Sequence, residues 1–500
     1  MEGVSGGVGV ISSLSLGSFK AYKAETTFEF AVPRDGRIGL TVLCGQNNSG
    51  KSTPLNLLKT IFSEEPDMIF DREARHYDET PFAVVKLQHE GLSVSVSCRP
   101  EGVGAYARKE LRYMFNKEPT QLFLEMRRRV KYVPSRRHWS DRFSRQHRAD
   151  LGQLEDQLYR SLRNQDSPLG QLLARVLFER KKAEYDSFLK RIVPDIVDWT
   201  IDSVLDQECI TYVTSSGKVH SIGSLGDGFV SVFRLAYTLY SSRRGDTIIL
   251  DEPELSLHPE AQKSLYRLLR ELSMDRQIIL ATHSPYMVNW KDIEEGAQIF
   301  RLSLSDEGFA MVGKISPESY RSIRRAVSFD FKNRRLFDVL AKEVFFRNSV
   351  VFCEGLEDVH LIEQYLDGEG KSLPFFGYGS GGASLIPSWL IISAELKLRA
   401  VAIFDGDERA RAEECAKRHA KDKNVLIKVL PRDDIRDKHL RDGQCARNGK
   451  CKEKLDQPPI KLGFFDAKGK LKDDSRDELE SFIGDITNFL DGPARVVAAQ

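Results

Sequence analysis

Cysteine is sparse in this chain, with seven scattered over 500 residues. That is too few for a disulfide framework and points to a reducing compartment. Long apolar runs are missing as well: the longest, Leu385 to Ala394, contains Pro387 and Ser388 and gives way to Glu395, Lys397 and Arg399. A spanning helix needs about 20 apolar residues, so no membrane segment is expected. The first residues, Met1-Glu2-Gly3-Val4-Ser5, lack the basic start and apolar core of a secretory leader, and a cytoplasmic protein is the expectation. Neither sign of charge dominates. Lys and Arg number 74 against 73 Asp and Glu, a formal net charge of +1, which excludes a histone-like or acidic-tail character and confines any nucleic-acid contact to a local patch.

What is present is a composition of 41% hydrophobic and 29% charged residues, that of a globular chain long enough for several domains at about 150 residues each. Residues 8 to 100 alternate short apolar runs with turn signals (Val8–Ile11, Phe28–Val32, Ile38–Cys44, Phe82–Leu87, Leu92–Cys98), a pattern of strands around one helix after Lys51. Between 140 and 195, leucines such as Leu151, Leu154, Leu158, Leu162, Leu169, Leu172 and Leu173 recur at helical spacing among many charges. This reads as an inserted helical hairpin, either a solvated structural arm usable for dimerisation or a substrate-binding arm.

A β-hairpin (Cys209–Val213, Val219–Ile222), a helix from 228, a strand at Thr247–Leu250, a helix over 259–273 and a strand at Gln277–Ala281 follow. After a linking segment around 315–345, the alternation resumes with strand Val350–Cys353, helix 358–366, strand Pro374–Tyr378, a helix from 384 and strand Ala400–Phe404. The fold class expected is α/β, in two domains, 1–345 and 346–500.

Gly45-Gln46-Asn47-Asn48-Ser49-Gly50-Lys51-Ser52 follows an apolar strand and opens a helix, the full setting of a G-x-x-x-x-G-K-S phosphate loop. Its backbone N–H groups can close around phosphates, Lys51 can reach the β and γ oxygens of ATP, and Ser52 can bind Mg²⁺. Pro54 is discordant, because its ring crowds the Gly50 carbonyl in the first helical turn. The strand Thr247–Leu250 ends in Asp251, placed to hold Mg²⁺ through water, and Glu252, placed to orient the attacking water. The strand Gln277–Ala281 ends in Thr282-His283-Ser284-Pro285, which puts a histidine within reach of a γ-phosphate.

Gly45 to Thr53, Ser224-Leu225-Gly226-Asp227-Gly228, Asp251 to Pro259 and Ala281 to Pro285 resemble the Walker A, signature, Walker B with D-loop, and switch-histidine motifs of ABC-type ATPases. More narrowly they are similar to the RecF/SMC-like and overcoming-lysogenization-defect (OLD) ATPases. The resemblance implies that Gly45, Asn47, Asn48, Ser49, Gly50, Lys51, Ser52 and Thr53 bind ATP. It also implies that two heads pair, as a dimer or a larger homo-oligomer, each offering Ser224 and Gly226 to the nucleotide on the other. The signature departs from the usual leucine-serine-glycine-glycine-glutamine. No Q-loop glutamine stands out, although Gln88 lies between strands where one would fall.

A second acidic set stands in the C-terminal part. Val350–Cys353 ends in Glu354-Gly355, with Asp358 opening a helix, and Ala400–Phe404 ends in Asp405-Gly406-Asp407. Parallel strands bring their C-terminal ends to one edge, so Glu354, Asp405 and Asp407 can converge there. Carboxylates so placed repel unless a divalent cation such as Mg²⁺ or Mn²⁺ lies among them, where it can activate water at a phosphodiester. Taken singly, each acid reads more readily as structural, since Asp and Glu cap helices and D-x-D is common near turns.

With the Gly377-Tyr378-Gly379-Ser380-Gly381-Gly382 loop, these residues resemble the Toprim domain of OLD-family nucleases, a group that includes the nuclease subunit of Gabija antiphage systems. The resemblance implies an ABC-type ATPase head with a helical insertion, followed by a Toprim-like parallel-sheet domain. It implies Mg²⁺-dependent cleavage of DNA at metals held by Glu354, Asp358, Asp405 and Asp407, under ATP control and directed at phage or foreign DNA. A partner effector or helicase is consistent with it. Two other readings stand: a non-nucleolytic ATPase switch whose Toprim-like domain docks an effector, and a RecF-like repair clamp.

Val425–Leu430, the acids Asp433, Asp434 and Asp437, and Lys461 or Lys468 are candidates for the further strand, acidic pair and late lysine such domains carry. His439, Cys445 and Cys451 are spaced too irregularly for a metal clip and read as loop residues. Arg127-Arg128-Arg129, Lys131, Arg136-Arg137, Arg142, Arg145 and Arg148 surround a single acid, Asp141. With Tyr132, His138 and Trp139 among them, they are either a phosphate-backbone footprint or a solvated, salt-bridged face, and Val130–Pro134 also reads as a core strand.

Overall fold

A computed structural model describes residues 9–62, 81–89, 92–100, 107–113, 119–135, 143–144, 169–204, 207–221, 227–328, 339–437 and 463–492. The chain divides into two compact units, Met1–Leu302 and Ser303–Gln500. No helix among the described residues is long and apolar enough to cross a membrane.

The first unit begins β1 (Val10–Gly17), β2 (Thr26–Glu29), β3 (Leu40–Gly45), α1 (Ser52–Phe62), β4 (Phe82–His89), β5 (Leu92–Pro100), β6 (Ala107–Tyr113), α2 (Pro119–Arg129), β7 (Val130–Val133) and β8 (Phe143–Ser144). It continues with α3 (Leu169–Phe178), α4 (Lys182–Ile192), β9 (Ile196–Val204), β10 (Gln207–Thr214), β11 (Val219–Ser221), α5 (Asp227–Ser241), β12 (Thr247–Asp251), α6 (Pro259–Leu272), β13 (Gln277–Thr282) and β14 (Gln298–Leu304). One antiparallel sheet has the order β2-β1-β4-β5-β6, and another is centred on β10.

Between the phosphate loop and the acidic motif runs a parallel sheet in the order β14-β3-β13-β12-β7. Every residue of β3, β12 and β13 is buried, as unbroken apolar runs in a parallel sheet covered on both faces should be. The register sets Asp251 beside Ala281, and Thr282 beside Cys44. Gly45, Asp251 and Thr282 therefore end three neighbouring strands on one edge. Pro54 is accommodated because α1 starts only two residues before it, in a first turn whose N–H groups have no intrahelical partner.

The described part of the expected helical insertion, α3 and α4, is not a free arm. Leu169, Leu172, Leu173 and Val176 of α3 and Tyr185, Leu189 and Ile192 of α4 are buried. The Tyr185 hydroxyl donates to the Phe233 carbonyl of α5 at 3.0 Å. An apolar stripe on these helices has a ready partner in α5, so they pack as core rather than standing in solvent. Leu151 to Leu162 lie outside the described residues.

The second unit contains β15 (Ala310–Lys314), α7 (Pro317–Ser328), β16 (Ser349–Phe352), α8 (Leu356–Gly368), α9 (Ile386–Glu395), β17 (Arg399–Phe404), α10 (Arg409–Arg418), β18 (Val425–Val429) and α11 (Arg476–Asp491). Its parallel sheet has the order β16-β17-β18. Val351, Val401 and Ile403 pack with Phe464, Leu479, Phe482 and Ile486, so the C-terminal helix α11 is part of this core. The strand expected at Pro374–Tyr378 is reduced to a single bridge between Phe375 and Val351. Pro374 offers no N–H, and the chain turns away at Gly377 and Gly379, both at positive φ, before a ladder can extend.

Candidate functional site

The phosphate loop joins β3 to α1. Gly45 has φ +145°, and a Cβ there would sit 2.0 Å from the Leu302 carbonyl oxygen, so close packing and backbone conformation both demand glycine. Lys51 is 4% exposed and donates to the carbonyls of Gly45 and Gln46 at 3.0 and 2.6 Å, with Ser49 Oγ at 3.3 Å. Burial lowers its pKa to about 8, against the raising pull of Cys44, Glu252, Asp251 and Glu254, which leaves it mostly cationic at neutral pH.

Ser52 Oγ donates to Asp251 Oδ1 at 3.0 Å, joining α1 to the end of β12. Asp251 is 3% exposed, and burial raises its pKa. A hydroxyl and a carboxylate in contact beside the phosphate loop form a hard oxygen donor set that suits Mg²⁺ sharing its shell with phosphate and water. The residues present fit that ion.

Glu252 follows at φ +48°, its N–H donating to the Ala281 carbonyl at 2.9 Å. Its Oε1 lies 3.0 Å from His283 Nε2. Burial and then the Lys51 charge lower the His283 pKa, against the raising pull of Glu252 and of the hydrogen bond to the Gly45 backbone. Glu252 paired with His283 can orient a water and receive its proton.

Sequence reasoning missed the role of Glu254. Only 7% exposed, it accepts from Thr282 Oγ1 at 2.6 Å and from the His283 N–H at 2.7 Å, and burial raises its pKa. Ser284 N–H donates to Thr282 Oγ1 at 3.0 Å, and Ser284 Oγ to Gln262 Oε1 at 2.5 Å, so the histidine turn is tied to both Glu254 and α6. The available signal was the second glutamate of Asp251-Glu252-Pro253-Glu254. Lys51, Ser52, Glu252, Glu254, His283 and Tyr286 line one cavity of about 1050 Å³, ample for a nucleotide. Gln88 sits on β4 opposite Ser93 and does not line it. Ser224 and Gly226 lie outside the described residues.

The second unit brings its acids to the ends of β16 and β17. The Asp405 N–H donates to Glu354 Oε1 at 2.9 Å, and the Gly355 N–H to Asp358 Oδ2 at 2.8 Å. Burial, with the charges of Asp358, Glu408 and Asp407 and against the lowering Asp405 N–H, pushes the Glu354 carboxyl up to about 7. The glycine-rich loop closes over this turn: Ser380 N–H donates to the Cys353 carbonyl at 2.8 Å and Gly382 N–H to the Glu354 carbonyl at 2.7 Å. Gly379 has φ +101°, and a Cβ there would lie 2.5 Å from the Gly355 carbonyl carbon.

Among the described residues no three His, Cys, Asp or Glu side chains gather as a ready-made metal cage. Mg²⁺ commonly keeps several waters and takes one or two carboxylates, and Glu354 with its acidic neighbours fits an ion held in that way. Asp437, 4% exposed, accepts from Lys472 Nζ at 3.1 and 3.3 Å and from the Gly463 N–H at 3.1 Å. Lys472 is thus a late lysine that meets an acid, whereas Lys468 is exposed on a turn built on Asp466 and Lys461 lies outside the described residues. His439, Cys445, Cys451 and Arg136 to Arg142 also lie outside them, as do Arg145 and Arg148, while Lys131 and Tyr132 stand on β7, the strand expected there.

Residues 108–289 match a family described as "AAA domain, putative AbiEii toxin, Type IV TA system". The OLD nuclease of Thermus scotoductus (strain ATCC 700910 / SA-01) is 36% identical over 114 residues, 22% of this chain and 21% of that protein. The chain therefore spans about a fifth of the length of the curated relative it matches. Among solved structures, the SMC head domain from Thermotoga maritima is similar at TM-score 0.37 and 16% identity, covering 61% of this chain and 99% of that one. The Smc head domain with an extended coiled coil, bound to the C-terminal domain of ScpA derived from Pyrococcus furiosus, gives 0.44 and 14%, covering 64% and 100%. At such TM-scores the assignment of the head rests on its own sheet order and phosphate loop. Those features and the match over residues 108–289 support an ATPase, and the likeness to the OLD nuclease is confined to 114 residues.

Proposed function

We propose that this chain is an ATP-hydrolysing, metal-dependent DNA endonuclease or nickase of OLD type, acting against phage or other foreign DNA. The ATPase head is assigned to residues 1–345 and the Toprim-like domain to 346–500. The observation that carries the nuclease reading is the meeting of the ends of parallel strands β16 and β17, where the Asp405 N–H donates to Glu354 Oε1 at 2.9 Å and the charges of Asp358, Glu408 and Asp407 act on that carboxyl. Raised carboxyls in a cluster of acids are characteristic of cation and catalytic sites.

At the head, the loop N–H groups and Lys51 bind the β and γ phosphates, Ser52 and Asp251 hold Mg²⁺, and Glu252 orients water and takes its proton. His283, fixed through its backbone by Glu254, sets the direction of Glu252. Bound Mg²⁺ supplies neutralisation of phosphate charge. Paired heads, at least a dimer, would bring Ser224 and Gly226 of one copy to the nucleotide of the other. In the second unit Glu354, Asp358, Asp405 and Asp407 hold Mg²⁺ or Mn²⁺, which supplies Lewis acidity at the phosphodiester. Lys472, whose ammonium meets Asp437, joins Lys461 and Lys468 as a candidate late lysine.

Plasmid nicking and linearisation with Mg²⁺ or Mn²⁺, with and without ATP, tests the proposal. Glu354→Ala loses cleavage and keeps ATP hydrolysis, while Lys51→Ala alters nucleotide dependence. ATP hydrolysis without cleavage under any condition favours the switch reading, in which the Toprim-like domain docks an effector protein. The absence of a ready three-ligand set among the described residues is the observation on that side.

A further inference from the structure

The first unit holds another cavity, of about 590 Å³, at the strand edge opposite the nucleotide. Its floor is the start of β7 and β12, at Lys131 and Asp246, whereas Asp251 closes the other end of β12. The two edges are about 16 Å apart for a strand of this length at about 3.3 Å per residue. The cavity wall includes Tyr237 and Tyr240 from the last turn of α5.

Seven cations line this cavity against four carboxylates. Three of the cations have local partners: Arg175 and Lys181 share Glu179 at 2.6 and 3.2 Å, and Lys131 lies 4.0 Å from Asp246. The other four, Arg128 and Arg129 at the end of α2 and Arg243 and Arg244 in the turn before β12, make no ion pair among the described residues. Burial lowers the Lys131 pKa, with the Asp246 charge raising it and the Arg243 charge lowering it, and the positive balance of the cavity rests on its seven cations against four carboxylates. Four guanidiniums from two separate segments, without an ion pair among the described residues, repel one another around a shared space, and an anion placed there relieves that repulsion.

We infer that this cavity is a docking site for the phosphodiester backbone of DNA. A site for one small anion encloses its cations. Here Arg128, Arg243 and Arg244 stand exposed on the rim, as suits an extended polyanion lying across the mouth. The planar guanidinium fork matches phosphate oxygens, and the tyrosines give an apolar wall for sugar or base. The inference rests on the reading of the chain as acting on DNA and adds where the backbone is held.

The test is fluorescence anisotropy of labelled duplex and single-stranded DNA with the full chain, as a function of salt. It compares wild type with Arg128→Glu/Arg129→Glu and Arg243→Glu/Arg244→Glu, with ATP hydrolysis as the control for folding. Each double variant should weaken DNA binding at least about tenfold and flatten the log–log salt slope by about two, roughly one for each phosphate no longer neutralised, with hydrolysis unchanged. Affinity and slope equal to wild type in both variants overturn the cavity as a DNA site while leaving the DNA reading intact. No DNA binding by wild type overturns both. A calorimetric titration with tripolyphosphate provides the other arm: binding lost in the variants while DNA affinity stays unchanged assigns the cavity to a free polyphosphate and also overturns the inference.

Discussion

Two parallel sheets end in carboxylates here, and the surroundings of those carboxylates differ in kind. At the end of β12, Asp251 receives the Ser52 hydroxyl, Glu252 meets His283, and Lys51 stands among them at the same edge. At the ends of β16 and β17, Glu354 takes one backbone N–H, and the strongest charges acting on it are other carboxylates. Topology alone brings ligands to the C-terminal ends of parallel strands. The side chains decide the sign of the ligand: the first edge supplies its own cation and suits an anionic phosphate, and the second concentrates negative charge and suits a cation.

The strongest way to break this contrast is at Glu252. Glu252→Gln should reduce ATP turnover at least about 100-fold while nucleotide binding is kept, as expected for removal of a group that takes a proton. Turnover near wild type, measured by phosphate release, would sever the first edge from catalysis.

At the second edge, Gly379→Ala forces a Cβ against the Gly355 backbone and should cost about 2–3 kcal/mol in denaturant unfolding. An unchanged midpoint would show that the glycine loop does not shape the acidic turn. A smaller effect is expected at Glu254. Glu254→Ala removes the acceptor for Thr282 and His283 and should slow ATP turnover by about tenfold, roughly the worth of one such hydrogen bond, while Glu254→Gln retains most activity. Equal losses in the two variants would mean that the charge, not the acceptor, matters.

The smallest effect sharpens the contrast through pH. The folded-state pKa of Glu354, about 7, lies above its ordinary value of 4.5, so the folded form holds a proton that the unfolded chain releases between those values. Stability from this group is full below about pH 4.5 and is lost as pH rises through 7. Glu354→Gln keeps the neutral form and should be more stable than wild type by about 1–2 kcal/mol at pH 8, after allowance for partial solvent screening, and by little at pH 4.5. A difference independent of pH in thermal melts would contradict the raised carboxyl.

Much of this was legible in the chain where the signal is local. The run Gly39 to Cys44, the glycine loop and the helix after it lie within a few turns of sequence, and β12 and β13 announce themselves as short apolar runs ending in polar residues. Strand β6 escaped because Ala-Arg-Lys-Glu-Leu-Arg-Tyr carries few apolar residues. The role of Glu254 depends on Thr282 and His283, some thirty residues away, and that of Lys472 on Asp437, 35 residues before it, distances over which spacing says nothing. Pro374–Tyr378 failed as a strand because its apolar residues promised a ladder that the proline and the two glycines interrupt.

The most direct test of the contrast is Mn²⁺ binding without nucleotide, followed by electron paramagnetic resonance or calorimetry on wild type, Glu354→Gln/Asp405→Asn and Ser52→Ala. Wild type and Ser52→Ala should bind the ion alike, and the double variant should lose it. Binding that survives in the double variant, or no binding by wild type, would contradict the assignment of the second edge as a cation site.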